Sequence, residues 1–135
     1  MQINKKITVL GLLIIAGAIS VAAIEPQPPN DYTNLQVLPK DITPTALQHI
    51  MVDEFEDGLG VGCGFCHAPM KNDSLHLDFA SDEKPEKEIA RAMMRMTMDI
   101  NKKYFEVEHP MIGDSVMSVS CITCHHGTAH PDINQ

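Results

Sequence analysis

The chain has 135 residues, enough for one small domain, and its 18 acidic side chains outnumber 10 Lys and Arg to give a formal net charge of -8. This charge and the lack of a basic stripe argue against nucleic acid as a partner. Only 4% of the residues are aromatic and none is Trp, so a domain this small needs another source of buried apolar surface.

The first 24 residues are predicted to be a signal peptide or an N-terminal membrane anchor. Lys5 and Lys6 precede 18 uncharged residues, 7–24. Export signals have ~7–15 apolar residues, whereas ~20 span a bilayer, and because this stretch lies between the two, both alternatives stay open. Either one places the rest of the chain on the periplasmic side of a bacterial inner membrane, soluble after cleavage or anchored by residues 7–24.

Residues 25–42 are predicted to form an extended linker, because they contain four prolines together with several Asn and Asp residues. The domain itself is assigned to residues 43–135. It is predicted to be mostly α-helical, since no run of alternating apolar and polar residues indicates a strand. Three apolar residues near the end of the linker are expected to anchor it to this domain: Leu35, Val37 and Leu38.

The first helix is predicted to begin at Thr43 and Pro44, which suit the N-cap and the first helical position. Apolar residues at helical spacing form one face of it. Glycines at 58, 60 and 62 end the helix directly before Cys63. The face consists of Leu47, Ile50, Met51 and Phe55.

A second helix is predicted after a polar, irregular stretch, 68–82, in which His76 is expected to be solvated. Ser81 or Asp82 is the expected N-cap, with Pro85 in the first turn. Acidic residues near its start and Lys102 and Lys103 near its end suit the helix dipole. Residues 105–120 are predicted to form a loop. One apolar stripe of this helix is expected to be buried: Ile89, Met93, Met96, Ile100 and Tyr104.

Two C-x-x-C-H motifs, at residues 63–67 and 121–125, use all four cysteines of the chain. This pattern is the attachment site of a c-type haem. Two thiols one helical turn apart reach the two vinyl groups of one porphyrin, and the adjacent His binds the iron. We therefore predict two covalently attached haem c groups. Their thioether residues are Cys63, Cys66, Cys121 and Cys124, and their proximal iron ligands are His67 and His125.

Three other uses of paired cysteines fit this chain less well than haem attachment. Disulfides are common in exported proteins, but they do not require the adjacent His. In a zinc ribbon roughly 15–20 residues separate the two pairs, whereas here 54 do. A thioredoxin-type motif needs a βαβ context that is missing here. The His that follows both pairs decides for haem, since only haem attachment asks for it.

The sixth iron ligands are predicted to be methionine or histidine, as in other haem electron carriers. Met51 lies 12 residues before Cys63 on the apolar face of the first helix, which favours it for the first haem. For the second haem, spacing leaves Met93 and Met96 open, while Met94 and Met98 are expected to point elsewhere. His109 lies 12 residues before Cys121, so a second histidine is a further alternative.

Residues 34–128 resemble the cytochrome subunit of photosynthetic reaction centres. The resemblance rests on residues 34–38, Met51 and the first motif with Leu59 and Gly60 before it, then on residues 89–101 and the second motif with Gly127 after it. It implies two units, each a helix, a loop and C-x-x-C-H, in which the helix donates the sixth ligand. Met51 would then serve the first haem and Met93 the second, with Met96 packing beside the porphyrin.

Two departures from that family are visible. Its reaction-centre members typically carry four haems, whereas this chain has motifs for two. The loop before Cys121 is also longer than expected, which weakens the alignment of Met93. The resemblance therefore implies the haem architecture and leaves the pathway open.

Taken together, these features predict a dihaem c-type cytochrome that carries single electrons outside the cytoplasm and is not an enzyme. Its partners are expected to be redox proteins with a basic docking patch, in a membrane respiratory or photosynthetic complex. The alternative is a small haem enzyme of the peroxidase or nitrogen-oxide reductase type. It would need one open iron site beside a polar group, for which His76, His109 and His130 qualify by residue type alone.

Overall fold

The computed structural model describes residues 32–131. The predicted signal peptide or anchor and the first part of the linker lie outside these residues. Three short helical elements and a hairpin precede one long helix, and a last short helix carries the second motif. In chain order the elements are α1 (Pro44–His49), a π segment (Ile50–Asp57), a 3₁₀ turn (Cys63–Phe65), β1 (Ala68–Met70), β2 (Asp73–Asp78), α2 (Pro85–Tyr104) and α3 (Cys121–His125).

The first predicted helix is confirmed, and it continues as a π segment. Thr43 caps it, because its hydroxyl accepts a hydrogen bond from the backbone N–H of Ala46 at 3.1 Å, and Pro44 occupies the first helical position. From Ile50 onward the helix widens into the π segment, a form often found at functional sites. It ends near Gly58, as the glycines predict.

The hairpin contradicts the prediction of an irregular stretch without strands. β1 and β2 pair antiparallel, with Ala68 opposite Asp78 and a bulge between Pro69 and Met70. The strands are short, and β1 contains a proline while Asp begins and ends β2, residues that are depleted in strands. Pairing across the hairpin therefore forms strands that propensity alone does not indicate.

The long helix α2 is confirmed, but it begins at Pro85 after Lys84 rather than after Ser81 or Asp82. Those two side chains have other partners. The Ser81 hydroxyl accepts from the backbone N–H of Glu83, and the Asp82 carboxylate accepts from Arg91 and Asn34. The acidic first turn and basic last turn are as predicted.

The predicted buried stripe of α2 is wrong, because the helix presents the opposite face to the domain. Met93 is 42% exposed and Met96 is 48% exposed, and Ile89 and Tyr104 are exposed as well, whereas Met94 is buried. The buried face is mostly polar, and Lys87, Arg91 and Asn101 have hydrogen-bond partners outside the helix. It consists of Lys87, Arg91, Met94, Thr97 and Asn101.

The core is a small apolar cluster drawn from several segments, and part of the predicted linker belongs to it. Leu35 and Val37 pack against this cluster and Leu38 lies inside it, so these residues anchor their segment as predicted. Gly113 also lies against the core, since a Cβ there would be 2.7 Å from Cγ1 of Ile50. The members of the cluster are Leu38, Ile42, Ile50, Met94 and Ile112.

Within residues 32–131 we find no helix with the length and apolar character needed to cross a membrane.

Candidate functional site

The second motif forms α3, a short helix that places Cys121 and Cys124 one turn apart. The Thr123 hydroxyl accepts from the backbone N–H of Ser120 at 3.0 Å and so fixes the start of the helix. The helix ends where His126 and Gly127 both adopt positive φ, at 50° and 79°. This left-handed turn brings the following residues back beside His125.

The imidazole of His125 is held in the form that binds a metal through Nε2. Its Nδ1 lies 3.0 Å from the carbonyl oxygen of Thr128. Because a carbonyl only accepts hydrogen bonds, Nδ1 carries a proton, and in the ring with a single proton Nε2 then has a free lone pair. Two further hydrogen bonds, from the backbone N–H and the hydroxyl of Thr128 to the carbonyl of His125, fix this turn.

The π segment packs against the start of α3. Glu54 accepts a hydrogen bond from the backbone N–H of Cys121 at 3.2 Å, and a Cβ on Gly58 would lie 3.4 Å from Cβ of Cys121. Burial, together with the negative charge of Glu54, raises the pKa of the Cys121 thiol to about 12. This thiol is therefore protonated at neutral pH.

The first motif forms a tight turn that is held by the start of α2. The backbone N–H of His67 donates to the carbonyl of Cys63 at 3.0 Å. The Lys84 ammonium donates to the carbonyls of Gly64 and Phe65. Lys84, the residue directly before α2, thus fixes the backbone between the two cysteines.

His67 lies in a half-buried site beside the hairpin. Its ring meets the ring of Phe79 edge to face, with centroids 5.0 Å apart. Burial first, and the positive charge of Lys87 second, lower the pKa of His67. The ring is therefore neutral at neutral pH, as a metal ligand must be, and its buried Nδ1 has no hydrogen-bond partner among the described residues.

A charged cluster beside His67 attaches the hairpin to α2. Lys87 donates to the carbonyls of Phe79 and Ser81 at 2.9 and 2.7 Å. Arg91 donates to Asp82 at 2.8 Å and to Glu88 at 2.9 Å. Hydrogen bonds from Arg91 hold the pKa of Asp82 well below its usual range. The sequence analysis did not predict this cluster, because apolar periodicity gives no sign that charged residues such as Lys87 and Arg91 lie on the buried face of α2.

The two motifs meet through their glycines. The backbone N–H of Gly127 donates to the carbonyl of Gly58 at 3.1 Å, and a Cβ on Gly60 would lie 2.2 Å from the carbonyl oxygen of Gly127. The rings of Phe65 and His130 also approach, with centroids 6.2 Å apart. The turn that enters the first motif therefore touches the turn that leaves the second.

The predicted sixth ligands occupy different environments. Met51 is half-buried against the core, while Met93 and Met96 lie on the exposed face of α2. His109 is exposed in the loop after α2. No hydrogen bond or ring contact among the described residues joins any of these side chains to His67 or His125, so their assignments as sixth ligands stay predictions.

Within residues 32–131 no disulfide joins the four cysteines, and no group of three or more His, Cys, Asp or Glu side chains is placed to hold a metal ion. The cysteines fit a covalently bound haem in three respects. Each motif presents two cysteines and a histidine within one short turn or helix. His125 has a free Nε2. The apolar stripe of α2 faces outward, where a flat apolar group can cover it.

Comparison with known proteins agrees with this chemistry. The family model described as "Photosynthetic reaction centre cytochrome C subunit" matches residues 12–134. The chain is 38% identical over 68 residues to "Cytochrome c-554" from Chloroflexus aurantiacus, a match that covers 50% of this chain and 14% of that protein. The chain therefore spans only a small part of this relative. No solved structure matches this chain.

Proposed function

Because the chain belongs to the photosynthetic reaction centre cytochrome c subunit family, we propose that it is a dihaem c-type cytochrome that carries single electrons outside the cytoplasm. Bound haem c supplies an iron that alternates between the ferrous and ferric states. The observation that carries the proposal is the His125–Thr128 hydrogen bond, which prepares Nε2 as an iron ligand beside two thiols on the same turn.

Each residue of the motifs has a defined task in this proposal. The four cysteines bind the porphyrins through thioethers, and His67 and His125 bind the irons on the proximal side. The burial that keeps His67 neutral favours metal binding over protonation. The thioether of Met51 is the proposed sixth ligand of the first haem and Met93 that of the second, with Met96 and His109 as the alternatives there.

A methionine ligand favours ferrous iron and so raises the reduction potential. With a histidine and a second side chain as ligands, each iron would have no open site for a substrate, which is why a carrier rather than an enzyme is proposed. We place the protein on the periplasmic side of the bacterial inner membrane. Its proposed partners are redox proteins with a basic docking patch, in a respiratory or photosynthetic membrane complex.

Haem counting tests the proposal. The protein, matured in a host that attaches c-type haem, is expected to hold two covalent haems per chain. The double substitution of Cys63 and Cys66 by Ala should leave one, and so should the double substitution of Cys121 and Cys124. Retention of both haems in either variant, or one haem in the unaltered chain, would contradict the dihaem assignment.

The ferric spectrum tests the carrier function and its ligands. Both haems are expected to be low-spin with a Met–iron charge-transfer band. Met51→Ala should open one haem and produce a high-spin signal, while Met70→Ala, which removes an exposed methionine of the hairpin, should not. For the second haem, Met93→Ala, Met96→Ala and His109→Ala are compared. High-spin iron in the unaltered protein would favour a haem enzyme instead.

A further inference from the structure

Asn101 is the most deeply buried polar residue in the described part of the chain, with 0% of its surface exposed. It lies at the start of the last turn of α2. Its amide nitrogen donates to the carbonyls of Thr97 at 2.9 Å and Val119 at 2.7 Å. Its amide oxygen accepts from the backbone N–H groups of Ser118 at 2.7 Å and Val119 at 3.1 Å.

These four hydrogen bonds use both donors and both lone pairs of the side chain. Aspartate in its place has no hydrogen to donate to the two carbonyls, and alanine leaves all four backbone groups without this partner. A buried polar group without a partner costs roughly 1–3 kcal/mol. The site is therefore complementary to an asparagine.

We call the second C-x-x-C-H motif and the candidate sixth ligands on α2 the second redox site. The hydrogen-bond partners of Asn101 connect these two parts. Ser118 and Val119 lead directly into Ser120 and Cys121, the start of α3. On the other side, the hydroxyl of Thr97, which itself bonds to Asn101 through its carbonyl, donates to the carbonyl of Met93 at 2.9 Å. A continuous set of hydrogen bonds thus runs from the backbone of Met93 to the segment that enters the second motif.

We propose that Asn101 is a positioning residue of the second redox site, where it holds α2, with its candidate ligands Met93 and Met96, at a fixed place relative to Cys121 and His125. This inference rests on the proposed function. The amide fixes two backbone segments by hydrogen bonds that have definite directions. Apolar packing is less directional, so these hydrogen bonds define the relative placement of the two segments more closely than packing alone.

The test uses the full, haem-loaded protein with Asn101→Ala and Asn101→Asp. Both reduction potentials, the ferric spectrum and the thermal midpoint are measured. We expect the potential of one haem to shift, with partial loss of the Met–iron band, while the other haem keeps its potential. Which haem shifts is identified in the variant that lacks Cys63 and Cys66 and so carries only the second haem.

Ile112→Ala is the matched control, because Ile112 is also fully buried, at 1% exposed, but makes no such link. It should lower the thermal midpoint and leave both potentials unchanged. If the Asn101 variants lower the midpoint in the same way with both potentials unchanged, Asn101 is only structural and the inference is overturned. Asn101→Asp decides the matter where Asn101→Ala does not fold, since it keeps the shape of the side chain and its acceptor oxygen.

The proposed function and the role of Asn101 would be contradicted by different results. Absence of two haems from the unaltered protein would contradict the proposed function itself. Two haems in the unaltered protein, combined with unchanged potentials in both Asn101 variants, would contradict only the role of Asn101.

Discussion

At the scale of single residues, the contact between the two motifs depends on Gly60. Its φ of +64° is rarely adopted by other residues, and the space where a side chain would begin is filled by the carbonyl oxygen of Gly127. Gly60→Ala is therefore expected to lower the free energy of unfolding by roughly 1–3 kcal/mol, which denaturant unfolding of the loaded protein measures.

Gly62→Ala is the control for this substitution. Gly62 lies two residues further along the same turn, its φ is -81°, and a Cβ there meets nothing within 4 Å. The free energy of unfolding of the Gly62→Ala protein should differ from that of the unaltered protein by less than about 0.5 kcal/mol. Equal effects of the two alanines would mean that the two motifs do not meet in solution as they do in the structure.

At the scale of secondary-structure elements, α2 shows how far the sequence alone reaches. Its existence follows from the proline and acidic start, the lysine end and the helical spacing of its apolar residues. Its orientation does not, because apolar periodicity assumes that the apolar stripe meets protein. Here the domain contacts Lys87, Arg91 and Asn101, whose polar ends have hydrogen-bond partners outside the helix.

The motifs themselves are a stronger prediction than the elements around them, since haem attachment dictates both residue type and spacing. What the spacing does not show is how the histidines are oriented. The partner of His125 Nδ1 is the carbonyl of Thr128, and every residue offers a carbonyl. The contact of Gly60 with Gly127 likewise joins residues 67 positions apart, so local patterns carry no sign of it.

The attachment of the hairpin to α2 should depend on acid pH through Asp82, which bridges Lys87 and Arg91. Hydrogen bonds from Arg91 and Asn34 hold its pKa well below its usual range in the folded protein. Because the folded pKa is depressed, the stabilisation is present above the unfolded pKa of about 3.9 and is lost as pH falls below it. We therefore expect the temperature of the thermal midpoint to decrease as the pH is lowered below about 4.

Asp82→Asn should lower the midpoint at pH 7 and flatten this decline, which melting curves between pH 2.5 and 7 measure. Asp73→Asn serves as the control, because Asp73 forms an exposed pair with His76 that adds little stability. An unaltered decline in Asp82→Asn would show that the pH dependence comes from other carboxylates.

At the scale of the whole molecule, the chain is acidic, with a formal net charge of -8. Among the described residues Lys87 and Arg91 are buried and paired with carboxylates, so neither adds an unpaired positive charge to the surface. Haem propionates would add further negative charge. A field of this sign attracts cationic partners and repels anionic ones over about a Debye length, ~8 Å at physiological salt.

Electron exchange with small redox reagents should therefore depend on ionic strength in opposite directions. Oxidation of the reduced protein by a cationic reagent is expected to slow by roughly tenfold between 0.01 and 0.5 M salt, while oxidation by an anionic reagent speeds up. A neutral reagent should show little change, which controls for salt effects on the haems themselves. Stopped-flow absorbance measures all three rates. Glu56→Lys, an exposed change in the π segment, should weaken both trends, whereas the same salt response for cationic and anionic reagents would contradict docking by charge.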